Sequence, residues 1–157
     1  MRVEKKIEVN TPVRTAYNQW TQFEEFPRFM EGVKQVEQLT PERLHWVAEV
    51  GGKRKDWTAR ITRQVPDEVL AWVAEGGATN NGTVIFKPIQ ETKTEIELHM
   101  EFVPEDFQEQ VGGALGFVSR QVQGDLERFK EFVESRGSET GAWRGEIKQG
   151  ESIDRAS

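Results

Sequence analysis

The sequence predicts an α+β domain in which an antiparallel sheet lies against one long C-terminal helix. Two observations carry that expectation. Between Val33 and Val103 apolar and polar residues alternate in short runs separated by turn chemistry, the grammar of a β-meander. From about Phe107 to Arg136 the period changes, with Val111, Leu115, Val118, Val122, Leu126, Phe129 and Val133 recurring at steps of 4, 3, 4, 4, 3 and 4 residues. That is the apolar stripe of an amphipathic helix, widened by Ala114 and Phe132.

The elements follow in order. Val3, Lys5, Ile7 and Val9 share one face of a first strand, which Asn10-Thr11-Pro12 stops. Thr11 suits an N-cap and Pro12 a first helical position. A short helix then presents Val13, Ala16, Tyr17 and Trp20 on one face, and a second piece carries Phe23, Phe26, Phe29 and Met30. Four large apolar groups in eight residues are more than so short a piece can bury by itself, so they must cover something. Strands are expected at 33–39, 43–50, 53–64, 68–75, 82–89 and 94–103. Gly51-Gly52 and Asn81-Gly82 read as hairpin turns, and no connection is long enough for a crossover helix, so the pairing is antiparallel. Gly112, Gly113 and Gly116 open the long helix, where each costs about 1 kcal/mol relative to Ala and fits a close approach, a bend, flexibility at a gate or a poorly formed first turn.

Composition excludes several classes of function. At 157 residues the chain is about one domain's worth. It has no cysteine, hence no disulfide, thiolate metal site or cysteine nucleophile. A net charge of −6 argues against a nucleic-acid partner. The longest apolar run without glycine, Val69 to Ala74, is six residues, where a membrane span needs about 20. The N-terminus MRVEKKIEVN lacks the apolar core of a signal peptide, so a cytoplasmic location is expected. Residues 1–136 read as the domain. Residues 137–157, with four glycines and seven charges, read as a polar tail whose last stretch, 147–157, could be deleted at a cost of about a degree or two in Tm.

The stretches Trp20 to Val33, Leu44-His45-Trp46 and Gly124 to Lys130 resemble the SRPBCC superfamily, within it the polyketide cyclase/dehydrase and coenzyme Q-binding START-type branch. The similarity covers about residues 1–136, and the segment Glu139 to Glu146 also resembles tails of bacterial members. The resemblance implies the helix-grip fold: a curved seven-stranded sheet around the long helix, with two short helices after the first strand and a hydrophobic cavity between sheet and helix. Trp20, Phe26, Phe29 and Met30 from the helical segments, and Trp46, Trp57, Ala59, Ile61, Trp72, Phe86, Leu98 and Met100 from the strands, are expected to line it. The long helix would add Leu115, Val118 and Val122. The superfamily includes lipid carriers, cyclases, hydrolase activators and ribosome-associated proteins, so the activity stays open.

Candidate chemistry is sparse. His45 alternates with Leu44 and Trp46, and His99 with Leu98 and Met100, so both point to the outer face and a histidine-based site is not expected. Asp125 falls at the edge of the apolar arc of the long helix. It fits a residue that reaches solvent or pairs with an arginine on the sheet better than a polar anchor or general base. Tyr17 is the only tyrosine, and a core ring with its tip in water suits it better than a hydroxyl at the cavity mouth. Trp46, Trp57 and Trp72 fit flat walls for a ligand and a filled core equally well. Lys53, Arg54 and Lys55 read as a solvated hairpin end. No phosphate loop, serine elbow or metal-ligand spacing occurs, and no cofactor is expected. The reading is a protein that binds a hydrophobic small molecule (lipid, isoprenoid or polyketide-like). Its rivals are a cyclase or dehydratase with Asp125 and Tyr17 as its weak catalytic candidates, and a protein-interaction module with a filled core.

Overall fold

The computed structural model describes residues 2–50, 52–75, 80–103, 111–148 and 151–153, with the side chains of 50, 111–115 and 151–153 outside the description. The elements run β1 (Arg2–Val9), α1 (Val13–Trp20), a 3₁₀ helix (Phe23–Arg28), β2 (Val33–Gln38), β3 (Arg43–Val50), β4 (Lys53–Val65), β5 (Val69–Glu75), β6 (Asn80–Gln90), β7 (Lys93–Phe102), α2 (Val111–Arg136), β8 (Glu146–Lys148) and β9 (Glu151–Ile153). The sheet order is β1-β7-β6-β5-β4-β3-β2 with every neighbouring pair antiparallel, a meander closed by the return of β1 beside β7. The expected start of the long helix near Phe107 lies outside the described residues.

Alternation sets which face is buried. On β7, Thr94, Ile96, Leu98 and Phe102 are buried, while Glu95 and Glu97 face the other side with Lys87 and His99. On β4 the odd residues Trp57, Ala59 and Ile61 face inward, until the register shifts between Ile61 and Arg63 and Gln64 becomes the buried residue. Such a bulge bends its strand and, with those at Val33/Gln35 and Pro88/Gln90, curls the sheet. At the β3–β4 hairpin Val50 pairs with Lys53, and Gly52 takes the φ of 80° that a two-residue turn needs.

The concave face holds α2. Val122, Leu126, Phe129 and Val133 are buried, and the Phe129 ring meets Trp20 at 4.9 Å and Phe29 at 5.2 Å. Lys130 Nζ donates to the Glu8 carbonyl at 3.0 Å and the Asn10 N–H to Glu134 at 2.7 Å, fixing the C-terminal half of the helix to the end of β1.

Three expectations are corrected. Helix α1 starts one residue later than expected, with Pro12 at the cap position and no side-chain cap bond; the Thr11 carbonyl instead accepts from Thr94 Oγ1 at 2.8 Å. Asn81-Gly82 is not a turn but lies inside β6, paired with Glu101 and Met100. A Cβ at Gly82 would stand 2.3 Å from the Trp72 ring, so this glycine serves a close approach of the indole across the strand.

The third correction concerns the C-terminal segment, which docks on the body between Glu139 and Ile147. Gln19 donates to Thr140 Oγ1 at 3.0 Å and accepts from the Thr140 N–H at 2.9 Å. The Trp143 N–H reaches Thr21 Oγ1, and Arg144 bridges Asn18 at 2.6 Å and Asp67 at 2.8 Å. Ile147 pairs opposite Gln64 and is 0% exposed. The polar face of α1 is thereby covered instead of solvated, and the burial of Ile147 makes a cost larger than a degree or two the expectation for losing 147–157.

Candidate functional site

The helix grips only part of the sheet, and between them lies a cavity of about 260 Å³. Its sheet side carries Leu44, Trp46, Ala48, Trp57, Ala59, Ile61, Leu70, Trp72, Leu98, Met100 and Phe102. Trp46 and Trp57 are register partners on adjacent strands, and their rings stack 6.0 Å apart with planes 4° from parallel. The remaining lining comes from Val118, Gln121, Val122, Asp125 and Leu126 of α2, from Trp20, Phe23, Phe26, Met30, Glu31, Gly32 and Val33, and from Asn80. The 3₁₀ helix therefore covers the cavity, which explains its concentration of phenylalanine. Phe26 meets Trp46 at 5.6 Å and Trp20 at 5.8 Å.

Of the expected lining residues, Phe29 and Phe86 stand elsewhere. Phe29 packs between Phe129 and Phe132 of α2, and Phe86 against Tyr17 and Trp20. Leu115 lies among the side chains outside the description. Phe23, Leu44, Ala48, Leu70, Phe102 and Leu126 line the cavity without having been singled out, although strand parity or the helix stripe marks most of them. Gln121 and Asn80 had no such signal.

Asp125 faces the cavity, and its partners were not legible. Its Oδ1 accepts from Arg128 Nη2 at 2.5 Å, one helical turn along, and from the Glu31 N–H at 3.0 Å. The arginine sits on the same helix, not on the sheet. Burial pushes the carboxyl up to about 6, against the opposing pull of Arg128 and the Glu31 N–H. Gln121 Nε2 donates to the Glu31 carbonyl at 2.8 Å, and Arg128 Nε to the Phe29 carbonyl at 2.9 Å. Residues 121, 125 and 128 thus present polar groups from one helix face to the backbone that leads from the 3₁₀ helix into β2.

Tyr17 is corrected. Its ring is 0% exposed, and its hydroxyl accepts from Gln64 Nε2 at 3.0 Å, away from the cavity lining and from water. Burial pushes the phenol up to about 12, with Gln64 and Arg144 acting the other way. The histidines lie on the outer face as alternation predicts: His45 stands 3.9 Å from Asp56, and His99 3.2 Å from Glu4 and 3.0 Å from Glu97. Neither lines the cavity. Among the described residues no group of three or more His, Asp or Glu side chains could hold a metal ion, and no helix is long and apolar enough to cross a membrane.

Comparison with known proteins agrees with this architecture. An uncharacterized 17.2 kDa protein of Streptomyces lincolnensis, in the melC2-rnhH intergenic region, is 53% identical over 147 residues, 93% of this chain and 98% of that protein. The Zhui aromatase/cyclase from Streptomyces sp. R1128 superposes with a TM-score of 0.74 at 18% identity, covering 90% of this chain and 98% of its own. A START superfamily protein from Mycobacterium smegmatis gives 0.69 at 14% identity, covering 86% and 95%. These structures share the fold: a curled antiparallel seven-strand half-barrel with a C-terminal helix. Residues 9–131, from the end of β1 through most of α2, match the model of one family, and so the chain belongs to the polyketide cyclase / dehydrase and lipid transport family.

Proposed function

We propose that the chain binds a hydrophobic small molecule, a lipid, isoprenoid or polyketide-like compound, in the cavity between sheet and α2. The observation that carries this reading is the cavity itself: about 260 Å³ of space lined almost wholly by apolar and aromatic side chains. An engineered apolar cavity of about 150 Å³ already takes up benzene, so this one has room for a two-ring compound or a short isoprenoid chain. Burial supplies the affinity, at about 25 cal/mol for each Å² of apolar ligand surface removed from water. The open interior speaks against a filled core, and with it against a module that works only through its outer face. An environment-sensitive hydrophobic dye is expected to bind at about one site per chain and to quench tryptophan emission, since Trp46, Trp57 and Trp72 line the space. Native protein that binds no such dye contradicts the reading.

A cyclase or dehydratase is the second reading, and one observation favours it. A carboxyl raised to about 6 beside an apolar cavity can give or take a proton near neutral pH. That reading requires a substrate whose turnover is lost in Asp125→Asn. Tyr17, buried against Gln64, supports no catalytic role in it.

A further inference from the structure

The walls of the cavity are mainly apolar, and the few polar side chains among them bear on which head group a ligand could carry. Indoles aside, the lining residues with polar side chains are Glu31, Asn80, Gln121 and Asp125, and the charged ones among them are both acidic. Arg128, which neutralises Asp125, does not line the cavity. Both hydrogen bonds to Asp125 fall on Oδ1, and among the described residues Oδ2 takes none. Gln121 already donates through Nε2 to the Glu31 carbonyl, and Asn80 Oδ1 stands 3.4 Å from the Trp72 indole nitrogen.

A carboxylate head group placed here would meet two carboxylates against one guanidinium. An ammonium would have to shed its water to reach a carboxylate that Arg128 already balances. A neutral hydroxyl meets neither cost, and it gains a hydrogen bond to a charged acceptor, about twice as strong as a neutral one. We propose that the cavity selects a neutral, largely apolar molecule carrying a hydroxyl group, alcohol or phenol, that donates its hydrogen bond to Asp125. This inference rests on the binding reading above.

The test uses four shape-matched probes at pH 7.5 on the full chain: 2-naphthol, 2-methoxynaphthalene, 2-naphthoate and 2-naphthylmethylammonium, titrated by calorimetry and tryptophan quenching. The expected result is that 2-naphthol binds about tenfold more tightly than 2-methoxynaphthalene, with 2-naphthoate weaker than both. In Asp125→Asn an amide N–H can occupy the place of Oδ2, and the advantage of 2-naphthol should shrink to about twofold or less. Equal affinity for 2-naphthol and 2-methoxynaphthalene, both displaced by a cavity-bound dye, overturns the hydroxyl inference and leaves the binding reading standing. Tighter binding of the acid or the ammonium overturns it as well. Failure of all four probes and of the dye overturns the binding reading itself. The wild-type series decides the hydroxyl preference by itself, and an undiminished preference in folded Asp125→Asn overturns Asp125 as the acceptor.

Discussion

Asp125 shows how a single side chain ties stability to pH in this molecule. Its carboxyl stands near 6 in the folded chain against an ordinary 3.8, so the folded state holds its proton over a range where the unfolded state has released it. Stability from this group is therefore fully present below about pH 4 and falls as pH rises through about 6. At 1.36 kcal/mol per unit this amounts to at most about 3 kcal/mol, reduced by solvent reaching the side chain. Wild type is expected to lose stability relative to Asp125→Asn between pH 4.5 and 7.5; urea midpoints for both proteins check this. A difference that stays constant, or that moves in favour of wild type at the higher pH, contradicts it. The histidines give the opposite kind of prediction. Because His45 and His99 face away from the cavity, replacing both with Gln is expected to leave dye affinity within about twofold, and loss of binding would place one of them wrongly. Strand parity made those two positions legible. The partners of Asp125 were not, because the Glu31 N–H comes from a loop whose path depends on how the 3₁₀ helix docks.

Strand lengths and pairings were legible because alternation, once half-buried, leaves its period in the sequence. Two features at the scale of elements escaped. The Asn81-Gly82 pair imitates a hairpin turn, yet its glycine admits the Trp72 ring across β6. Gly82→Ala is expected to displace that indole, to lower thermal stability and to alter dye binding, since Trp72 lines the cavity. An unchanged Tm together with unchanged dye affinity would show that the ring yields at no cost. The C-terminal segment escaped for a different reason. Its polar residues meet the polar face of α1, at Asn18, Gln19 and Thr21, and two polar surfaces that cover each other leave no hydrophobic pattern to read. Truncation before Glu146 removes Ile147, fully buried opposite Gln64, and the loss of such a side chain costs about 2–5 kcal/mol. A fall of at least about 5 °C in Tm is expected, read by calorimetry on the truncated chain, whereas a shift within a degree or two would mean that the docked segment contributes no stability.

Over the whole molecule, a bulged meander, the long helix α2 and a phenylalanine-rich 3₁₀ helix leave a space that none of them fills. Sequence order and the family resemblance made the architecture legible. The volume was not, because tryptophans on the inner strands can fill an interior or stand along its walls, and only their ring orientation decides. Here Trp46 and Trp57 stack side by side, and Val118, Val122 and Leu126 face them across the remaining space. Ala59→Trp is the most direct test of that arrangement, because the new ring would enter the cavity from the sheet. The measurement is dye titration together with a urea unfolding curve on wild type and variant. An open cavity predicts about one dye per wild-type chain and markedly weaker binding in a variant whose stability is nearly unchanged. Wild type that binds no dye, with a variant destabilised by the roughly 1–3 kcal/mol typical of an overpacked core, would contradict the account.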